Sequence, residues 1–324
     1  MHSIQDLQQI IEKAVKETNY PAEPKELYEP ISYLMSLGGK RLRPALVLMA
    51  TDLFDGDINE ALSPALAVEL FHNFTLMHDD IMDKAPLRRG KPTVHAKWNE
   101  AVAILSGDVM FVKAYQLMIK VKPQILSQVL EIFNLTATGV CEGQQIDMNF
   151  ENRDQVTIPE YIEMIRLKTA VLLGGALKIG ALIGEACETD AQHLYNFGEN
   201  LGIAFQLQDD ILDVYGDPEK FGKQVGGDII SNKKTYLLIK ALELAKGENL
   251  IELNHWLSLK TFNPKEKVVA VRTIYDRIGI RELSDIAMQA YADKALKEFG
   301  LIKVKEENKE VLMEFAEMLV GRQH

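Results

Sequence analysis

The chain has 324 residues, of which 47% are hydrophobic, and its formal net charge is -11 at pH 7. This length suits one large domain or two smaller ones, and the acidic balance disfavours general binding of nucleic acid. The two cysteines, Cys141 and Cys187, lack metal-site spacing and do not suggest a disulfide scaffold. The stretch AVLLGGALKIGALIG is too short to span a bilayer. We therefore expect a cytoplasmic protein without a membrane span.

Apolar residues recur every three or four positions along most of the chain, which predicts helices. In chain order, the pattern is clearest in ELYEPISYLMSLGGK, PALAVELFHNFTLMHDD, PQILSQVLEIFNLTATGVCEGQQID and HLYNFGENLGIAFQLQDDILDVYGD. A further helix should begin near Pro159, because Thr157 can cap it and Glu160 completes a capping box. Loops are expected at GGKRLRP, KAPLRRGKPT, GDPEKFGKQVGGD and KTFNPKEK. Strand-like alternation is scarce, so we predict one all-helical domain over residues 1–324.

Two acidic turns have nearly the same sequence, HDDIMD and QDDILD. They contain Asp79, Asp80, Asp83, Asp209, Asp210 and Asp213. On a helix at about 100° per residue, the three acids of each turn project from one face. Carboxylates this close repel one another, and hard divalent cations such as Mg²⁺ neutralise them well. One such turn could be a solvated helix face, but two copies within apolar sequence favour a site for metal ions and polyphosphate.

Basic residues lie close to these turns in an otherwise acidic chain. GGKRLRP places Lys40, Arg41 and Arg43 before a helix expected to open at Pro44, and helix starts favour anions. PLRRGKP adds Arg88, Arg89 and Lys91, and three further lysines, Lys168, Lys223 and Lys233, follow later. Each cluster alone could be a solvated patch. Several together favour binding of more than one phosphorylated group.

These segments together resemble the trans-isoprenyl diphosphate synthase family. The resemblance covers nearly the whole chain and includes GGKRLRP, ELFHNFTLMHDDIMD, LRRGKPT, LSGD, GQQIDM, LKTA, LQDDILDVYGD and GKQVGGDIISNKKT. It implies an all-α bundle of long helices around a deep central cavity, usually in a homodimer. It also implies Mg²⁺-dependent condensation of isopentenyl diphosphate with allylic diphosphates, with three ions per active site expected.

The resemblance assigns roles to individual residues. Lys40, Arg43, His72 and Arg89 match positions that bind isopentenyl diphosphate. Arg88, Lys168, Thr169, Gln206, Lys223 and Lys233 match positions around the allylic diphosphate. The six aspartates match the two metal-binding motifs, and Asp79, Asp209 and Lys168 are expected to be catalytic. Asn232 departs from the family pattern, since a glycine is common at the position before the lysine that corresponds to Lys233.

Product length should depend on the helix that leads to Asp79. Phe71, Phe74 and Thr75 form a stripe beside the carboxylate face of that helix, where a growing tail could descend. Short-chain members of the family often carry an aromatic residue five positions before the first aspartate, as Phe74 does. We therefore expect C15 to C20 products, with geranylgeranyl diphosphate favoured over farnesyl diphosphate.

Two other functions stay open from the sequence. A terpene cyclase would share one DDxxD turn, but it would need neither GGKRLRP nor the second turn. A non-catalytic helical subunit that modulates a partner synthase would be expected to lose one of the acidic turns, and both are intact here.

Overall fold

The computed structural model describes residues 2–217 and 225–321. The chain is 77% helical with almost no strand, so the all-helical prediction is confirmed. The helices are α1 (Ile4–Glu17), α2 (Lys25–Ser36), α3 (Leu42–Leu53), α4 (Ile58–Met82), α5 (Val94–Lys97), α6 (Glu100–Met118), α7 (Leu126–Glu151), α8 (Ile158–Ile165), α9 (Val171–Ile183), α10 (Glu188–Tyr215), α11 (Gly227–Ile230), α12 (Tyr236–Leu244), α13 (Glu248–Ser258), α14 (Pro264–Arg277), α15 (Ile280–Gly300) and α16 (Glu306–Val320). A π-helical segment, Arg166–Ala170, lies between α8 and α9.

The helix starts follow from local chemistry. The predicted capping box at α8 is present, because the Thr157 amide donates to Glu160 Oε2 at 2.9 Å and the Glu160 amide donates to the Thr157 hydroxyl. The prediction that a helix opens at Pro44 was wrong by two residues. That helix, α3, begins at Leu42, and a proline is tolerated there because first-turn amides have no partner within the helix.

The loop KAPLRRGKPT contains a hairpin that the sequence analysis did not predict. Its strands are β1 (Leu87–Arg88) and β2 (Lys91–Pro92), which pair antiparallel. The two turn residues have φ values of +54° at Arg89 and +72° at Gly90. Positive φ at both central positions is what a tight two-residue hairpin requires. The turn therefore presents two adjacent arginines in different directions.

The described chain divides into two compact units. Unit 1 comprises Met1–Asn134, Gly175–Leu194 and Lys303–Met313, and unit 2 comprises Leu135–Gly174, Tyr195–Ile302 and Glu314–His324. The assignment of residues 1–324 to a single domain stays a prediction.

In unit 1, α4 packs against α3 and α6 and carries the first acidic turn at its C-terminal end. A Cβ atom at Gly107 of α6 would lie only 2.3 Å from the Nε2 atom of His78. Gly107 therefore allows the end of α4 to approach α6 closely. His78 Nε2 lies 3.1 Å from the Ile104 carbonyl oxygen, which can only accept, so this nitrogen carries the proton.

In unit 2, the C-terminal part of α10 is anchored by apolar burial. Ile211 lies within the second acidic turn and Val214 follows it directly. Both are at most 2% exposed and belong to a cluster that also includes Leu237 and Ile274. Burial of each side chain of this size stabilises the folded state by roughly 1.5–3 kcal/mol. This packing fixes the rotation of α10 and thereby the direction in which its acids point.

Helix α6 is long and apolar enough to cross a membrane by length and composition alone, and 33% of its 18-residue window is buried within the chain. The sequence analysis did not identify it as a candidate. Its outer face exposes Ile104, Leu105 and Val112 by 46%, 59% and 55%.

Candidate active site

Arg41 directly precedes α3, and its side chain makes structural contacts inside the protein. It has a positive φ of +48° and is only 4% exposed. Its guanidinium donates to Glu12 at 3.1 Å, to the Met35 carbonyl at 2.8 Å and to Glu69. Burial opposes the charge, but Glu69 and Glu12 outweigh that effect and raise the pKa of Arg41. The sequence analysis grouped Arg41 with the anion-binding cations, whereas these contacts occupy its guanidinium inside the protein.

Arg43 faces in another direction and meets His72 of α4. Its Nη1 atom lies 3.2 Å from His72 Nε2. Burial lowers the pKa of His72 well below 6.5, and Arg43, Arg89, Arg88 and Arg41 lower it further. His72 is therefore neutral at neutral pH. Because Arg43 can only donate, His72 Nε2 accepts, and its proton resides on Nδ1.

Arg89 reaches the two-glycine loop from the hairpin. Its Nη1 donates to the Gly38 carbonyl, and a Cβ atom at Gly39 would meet the Arg89 guanidinium at 3.1 Å. Gly38 and Gly39 have φ values of +76° and +152°, which a side chain would strain. The absence of a side chain at Gly39 thus gives the Arg89 guanidinium room beside the backbone. Lys40 beside them is exposed.

The first acidic turn divides its three carboxylates between two directions. Asp79 is partly exposed and Asp83 is exposed, whereas Asp80 is 3% exposed. Arg88 holds Asp80 through two hydrogen bonds of 2.8 Å each. The expectation that all three acids share one face was therefore wrong for Asp80. Its bidentate ion pair ties the hairpin to the end of α4.

In unit 2, Lys168 lies in the π-helical segment. Its Nζ donates to Asp147 of α7 at 2.6 Å. A Cβ atom at Gly143 would lie 2.2 Å from the Lys168 amide nitrogen, and one at Gly202 would lie 2.6 Å from the Ala170 Cα atom. Two glycines on neighbouring helices therefore allow close contact with the segment that presents Lys168. Such π-helical segments are frequent at functional sites.

A partly buried chain of hydrogen bonds leads from Thr169 to the second acidic turn. Thr169 donates to Gln206 at 3.2 Å, Gln206 donates to Asp210 at 3.1 Å, and the Tyr161 hydroxyl also donates to Asp210. Burial and the neighbouring Asp228 raise the pKa of Asp210 to about 7. Asp210 is therefore a buried anchor like Asp80, with different partners. The sequence analysis missed Tyr161.

The other two acids of this turn, Asp209 and Asp213, are partly exposed. The Asp228 amide donates to Asp213 Oδ2 at 2.9 Å, and the Lys233 amide donates to the Asp228 carbonyl at 2.9 Å. Lys233 is exposed and acts electrostatically on Asp210, whose pKa it lowers. Lys223, the other predicted cation of this segment, lies outside the described residues.

The donor set fits divalent metal ions that are shared with a phosphorylated ligand. Within residues 2–217 and 225–321, no group of three His, Cys, Asp or Glu side chains could hold an ion alone. Each turn instead offers two carboxylates that are at least partly exposed, Asp79 with Asp83 and Asp209 with Asp213. Mg²⁺ typically binds one or two carboxylates and completes its octahedron with water and phosphate oxygens. The arrangement therefore suits Mg²⁺ together with a diphosphate.

An aromatic cluster lies beside the first acidic turn. The rings of Phe74 and Phe111 are stacked, with centroids 5.0 Å apart and planes 7° from parallel. Phe71 lies beneath them, 5.6 Å from Phe111 and 5.5 Å from Phe133. Thr75 is partly exposed and donates to the His72 carbonyl at 2.7 Å. The sequence analysis found the three residues on α4 but not Phe111, whose own helix carries no such signal.

Comparison with known proteins agrees with this geometry. The profile of the polyprenyl synthetase family matches residues 24–275. The chain belongs to this family. The geranylgeranyl diphosphate synthase of Methanosarcina mazei is 37% identical over 323 residues, which cover 97% of this chain and 95% of the relative.

Solved structures of polyprenyl synthetase relatives match over the full fold. A crystal structure of a geranylgeranyl pyrophosphate synthase superposes with a TM-score of 0.95 at 43% identity and covers 100% of both chains. The geranylgeranyl pyrophosphate synthetase of Pyrococcus horikoshii gives 0.91 at 34% identity, covering 99% of this chain and 98% of its own. The predicted family is thus confirmed, and the roles of single residues stay predictions.

Proposed function

We propose that this chain is a trans-prenyltransferase that condenses isopentenyl diphosphate head-to-tail with allylic diphosphates. The observation that carries the proposal is the cluster of Arg43, Arg89 and neutral His72 on and beside the helix that ends in the first acidic turn. In a solvated basic patch, a histidine would stay hydrated. Here burial is the largest cause of the lowered pKa of His72. A terpene cyclase would have no use for this cation cluster.

In this proposal, unit 1 holds isopentenyl diphosphate. Lys40, Arg43 and Arg89 supply charge, and His72 supplies a neutral N–H from Nδ1. A neutral donor directs the anion without adding repulsion to the surrounding arginines. Arg89 is already oriented by the Gly38 carbonyl, so less side-chain freedom is lost when the ligand binds.

The allylic diphosphate is assigned to Arg88, Lys168, Thr169, Gln206, Lys223 and Lys233. We propose three magnesium ions per active site. When bound, they would offset the negative charge that develops on the departing diphosphate. Asp79, Asp83, Asp209 and Asp213 would hold them. Asp80 and Asp210 keep the two helices in the rotation that directs those four carboxylates outward.

The chemistry requires no nucleophile from the protein. The allylic C–O bond breaks, the double bond of isopentenyl diphosphate attacks the resulting cation, and one proton leaves, for which the released diphosphate is the nearest base. Lys168 is oriented by Asp147 and contributes positive charge near the departing group. Asp79 and Asp209 are proposed as catalytic through their metals.

For the product we propose geranylgeranyl diphosphate. The Phe74 and Phe111 pair closes the space beside the first acidic turn, and Phe71 blocks it one helical turn deeper. The Methanosarcina relative is named for the same C20 product. Farnesyl diphosphate is the shorter alternative.

We further propose a cytoplasmic homodimer that is formed through the apolar outer face of α6. Ile104, Leu105 and Val112 of α6, and Ile119 directly after it, are 46–59% exposed, and Leu105, Val112 and Ile119 recur every seven residues. Exposed apolar residues at this spacing suit contact with a second copy of the chain.

The proposal is tested by incubating the protein with Mg²⁺, isopentenyl diphosphate and, in turn, the C5, C10 and C15 allylic diphosphates. We expect C20 product from all three. Hydrocarbon or cyclic alcohol formed from the allylic substrate alone would identify a cyclase instead. The absence of any product with every starter would favour the non-catalytic subunit.

A further inference from the structure

Lys267 is a buried lysine in the first turns of α14, remote in sequence from every motif of the family pattern. It is 0% exposed. Its Nζ donates to Asn232 Oδ1 at 2.6 Å and to the Ile230 carbonyl at 3.2 Å, and it lies 4.1 Å from the centre of the Phe262 ring. Among the described residues, no carboxylate lies within 4.0 Å of this ammonium group.

A buried cation without a counter-charge is expensive for a fold. Burial lowers the pKa of Lys267 accordingly. A methionine would fill the same volume at no such cost, so packing gives no reason for an amine at this position. What the amine adds is its pair of hydrogen bonds, which go to the last residue of α11 and to the turn that follows it.

Asn232, the main partner of Lys267, occupies a left-handed turn. Its φ is +56°, a conformation that favours glycine and that asparagine tolerates better than most residues. This explains why a glycine is common here in related sequences. Unlike glycine, Asn232 also uses its side chain, because its Nδ2 donates to the Leu257 carbonyl at 3.0 Å while Oδ1 accepts from Lys267. The turn is thus held from both sides.

The segment held in this way is hydrogen-bonded to the second acidic turn. Lys233 follows Asn232 directly, and its amide donates to the Asp228 carbonyl at 2.9 Å. The Asp228 amide in turn donates to Asp213 Oδ2 at 2.9 Å. Hydrogen bonds and the peptide bond between Asn232 and Lys233 therefore link Lys267 through Asp228 to Asp213.

We propose that Lys267 and Asn232 are positioning residues for the allylic diphosphate site. They fix the left-handed turn so that Lys233 and Asp228 keep their places beside the second acidic turn. This inference rests on the proposed function, because it assigns the two residues to one substrate of that reaction. Neither residue is expected to touch substrate.

The test compares Lys267→Met, Asn232→Gly and the double variant with the full-length wild-type chain. Kinetics give kcat and the KM of each substrate, and calorimetry measures binding of a thio-analogue of geranyl diphosphate in Mg²⁺. Each single variant should weaken analogue binding about tenfold, as the loss of one hydrogen bond to a charged group would. The KM of isopentenyl diphosphate should stay within about twofold. The double variant should be no worse than either single one, since both remove the same contact.

Three further variants separate positioning from stability. Asn232→Asp keeps the acceptor and should retain analogue binding within about threefold. Lys265→Met removes an exposed lysine from the first turn of the same helix and should change nothing. Phe315→Ala empties a fully buried position of α16, outside the cluster that anchors α10, and should lower the melting temperature without the selective loss of analogue binding.

The inference is overturned if Lys267→Met binds the analogue as tightly as the wild type, or if Phe315→Ala reproduces the same selective loss. A wild-type chain that forms no prenyl diphosphate would instead overturn the proposed function. The two failures are therefore distinguishable in one set of measurements.

Discussion

Truncation of the stacked pair Phe74 and Phe111 should lengthen the product. Phe74 lies five residues before Asp79, about 7.5 Å along the helix, and Phe71 lies eight residues before it, about 12 Å. In the proposed product site, the two rings on α4 would therefore block levels that differ by roughly 4.5 Å. One isoprene unit adds four chain carbons, also roughly 5 Å. Removal of one level should admit about one more unit.

Quantitatively, Phe74→Ala should shift the main product from C20 to C25. Phe74→Ala with Phe111→Ala should admit at least one unit more, because the remaining ring, Phe71, then stands without the stacked pair above it. Phe74 is 9% exposed, so its truncation should cost less stability than the roughly 3–5 kcal/mol of a fully buried phenylalanine. We therefore expect folded, active variants.

The assay is product sizing after complete conversion of a C15 starter with excess isopentenyl diphosphate. Phe299→Ala is the matched control, because Phe299 is 1% exposed and pairs with Phe197 at 4.7 Å in unit 2. It should lower the melting temperature and leave the product at C20. An unchanged C20 product from an active double variant would refute the assignment of the floor to these rings.

Three further predictions concern the charged groups. Asp79→Asn should lower kcat by orders of magnitude and leave the melting temperature unchanged. Asp80→Asn should lower kcat and, in addition, reduce the free energy of unfolding by about 2–3 kcal/mol, because it breaks a buried ion pair. Kinetics and thermal unfolding distinguish the two variants. Arg43→Ala should raise the KM of isopentenyl diphosphate about tenfold and Lys168→Ala that of the allylic substrate, and equal effects on both would contradict the assignment. The pKa of His72 is lower in the folded chain than the unfolded value near 6.5, so the unfolded chain binds the proton first. Stability should fall as pH drops below about 6.5, and unfolding at pH 7 and pH 5.5 should show a smaller fall for His72→Asn.

Features that depend on local sequence could be predicted. Helical periodicity identified the long helices, and the Thr157 and Glu160 spacing located the start of α8 correctly. These predictions succeeded because each depends on residues within a few turns of one another.

Features that depend on which element lies opposite could not be predicted. Arg41 and Arg43 are both basic and two residues apart, but only tertiary packing sets Glu69 against Arg41. Phe111 has no motif of its own, and its role follows from its stacking on α4. The π-helical presentation of Lys168 requires a glycine on another helix, Gly143, which no reading of LKTA alone can supply.

The two acidic turns solve the same electrostatic problem in different ways. Each turn puts its middle aspartate into the protein, which leaves two carboxylates for ligands and removes one repelling charge from the face. In the first turn, Arg88 neutralises Asp80 through a bidentate ion pair. In the second, Tyr161 and Gln206 donate to Asp210, while burial raises its pKa to about 7, so that near neutral pH the proton itself removes part of the charge. In the proposed metal site, each of these two turns would supply two ligands and one anchor, and substitution of the anchor would test the geometry of the helix rather than its affinity for metal.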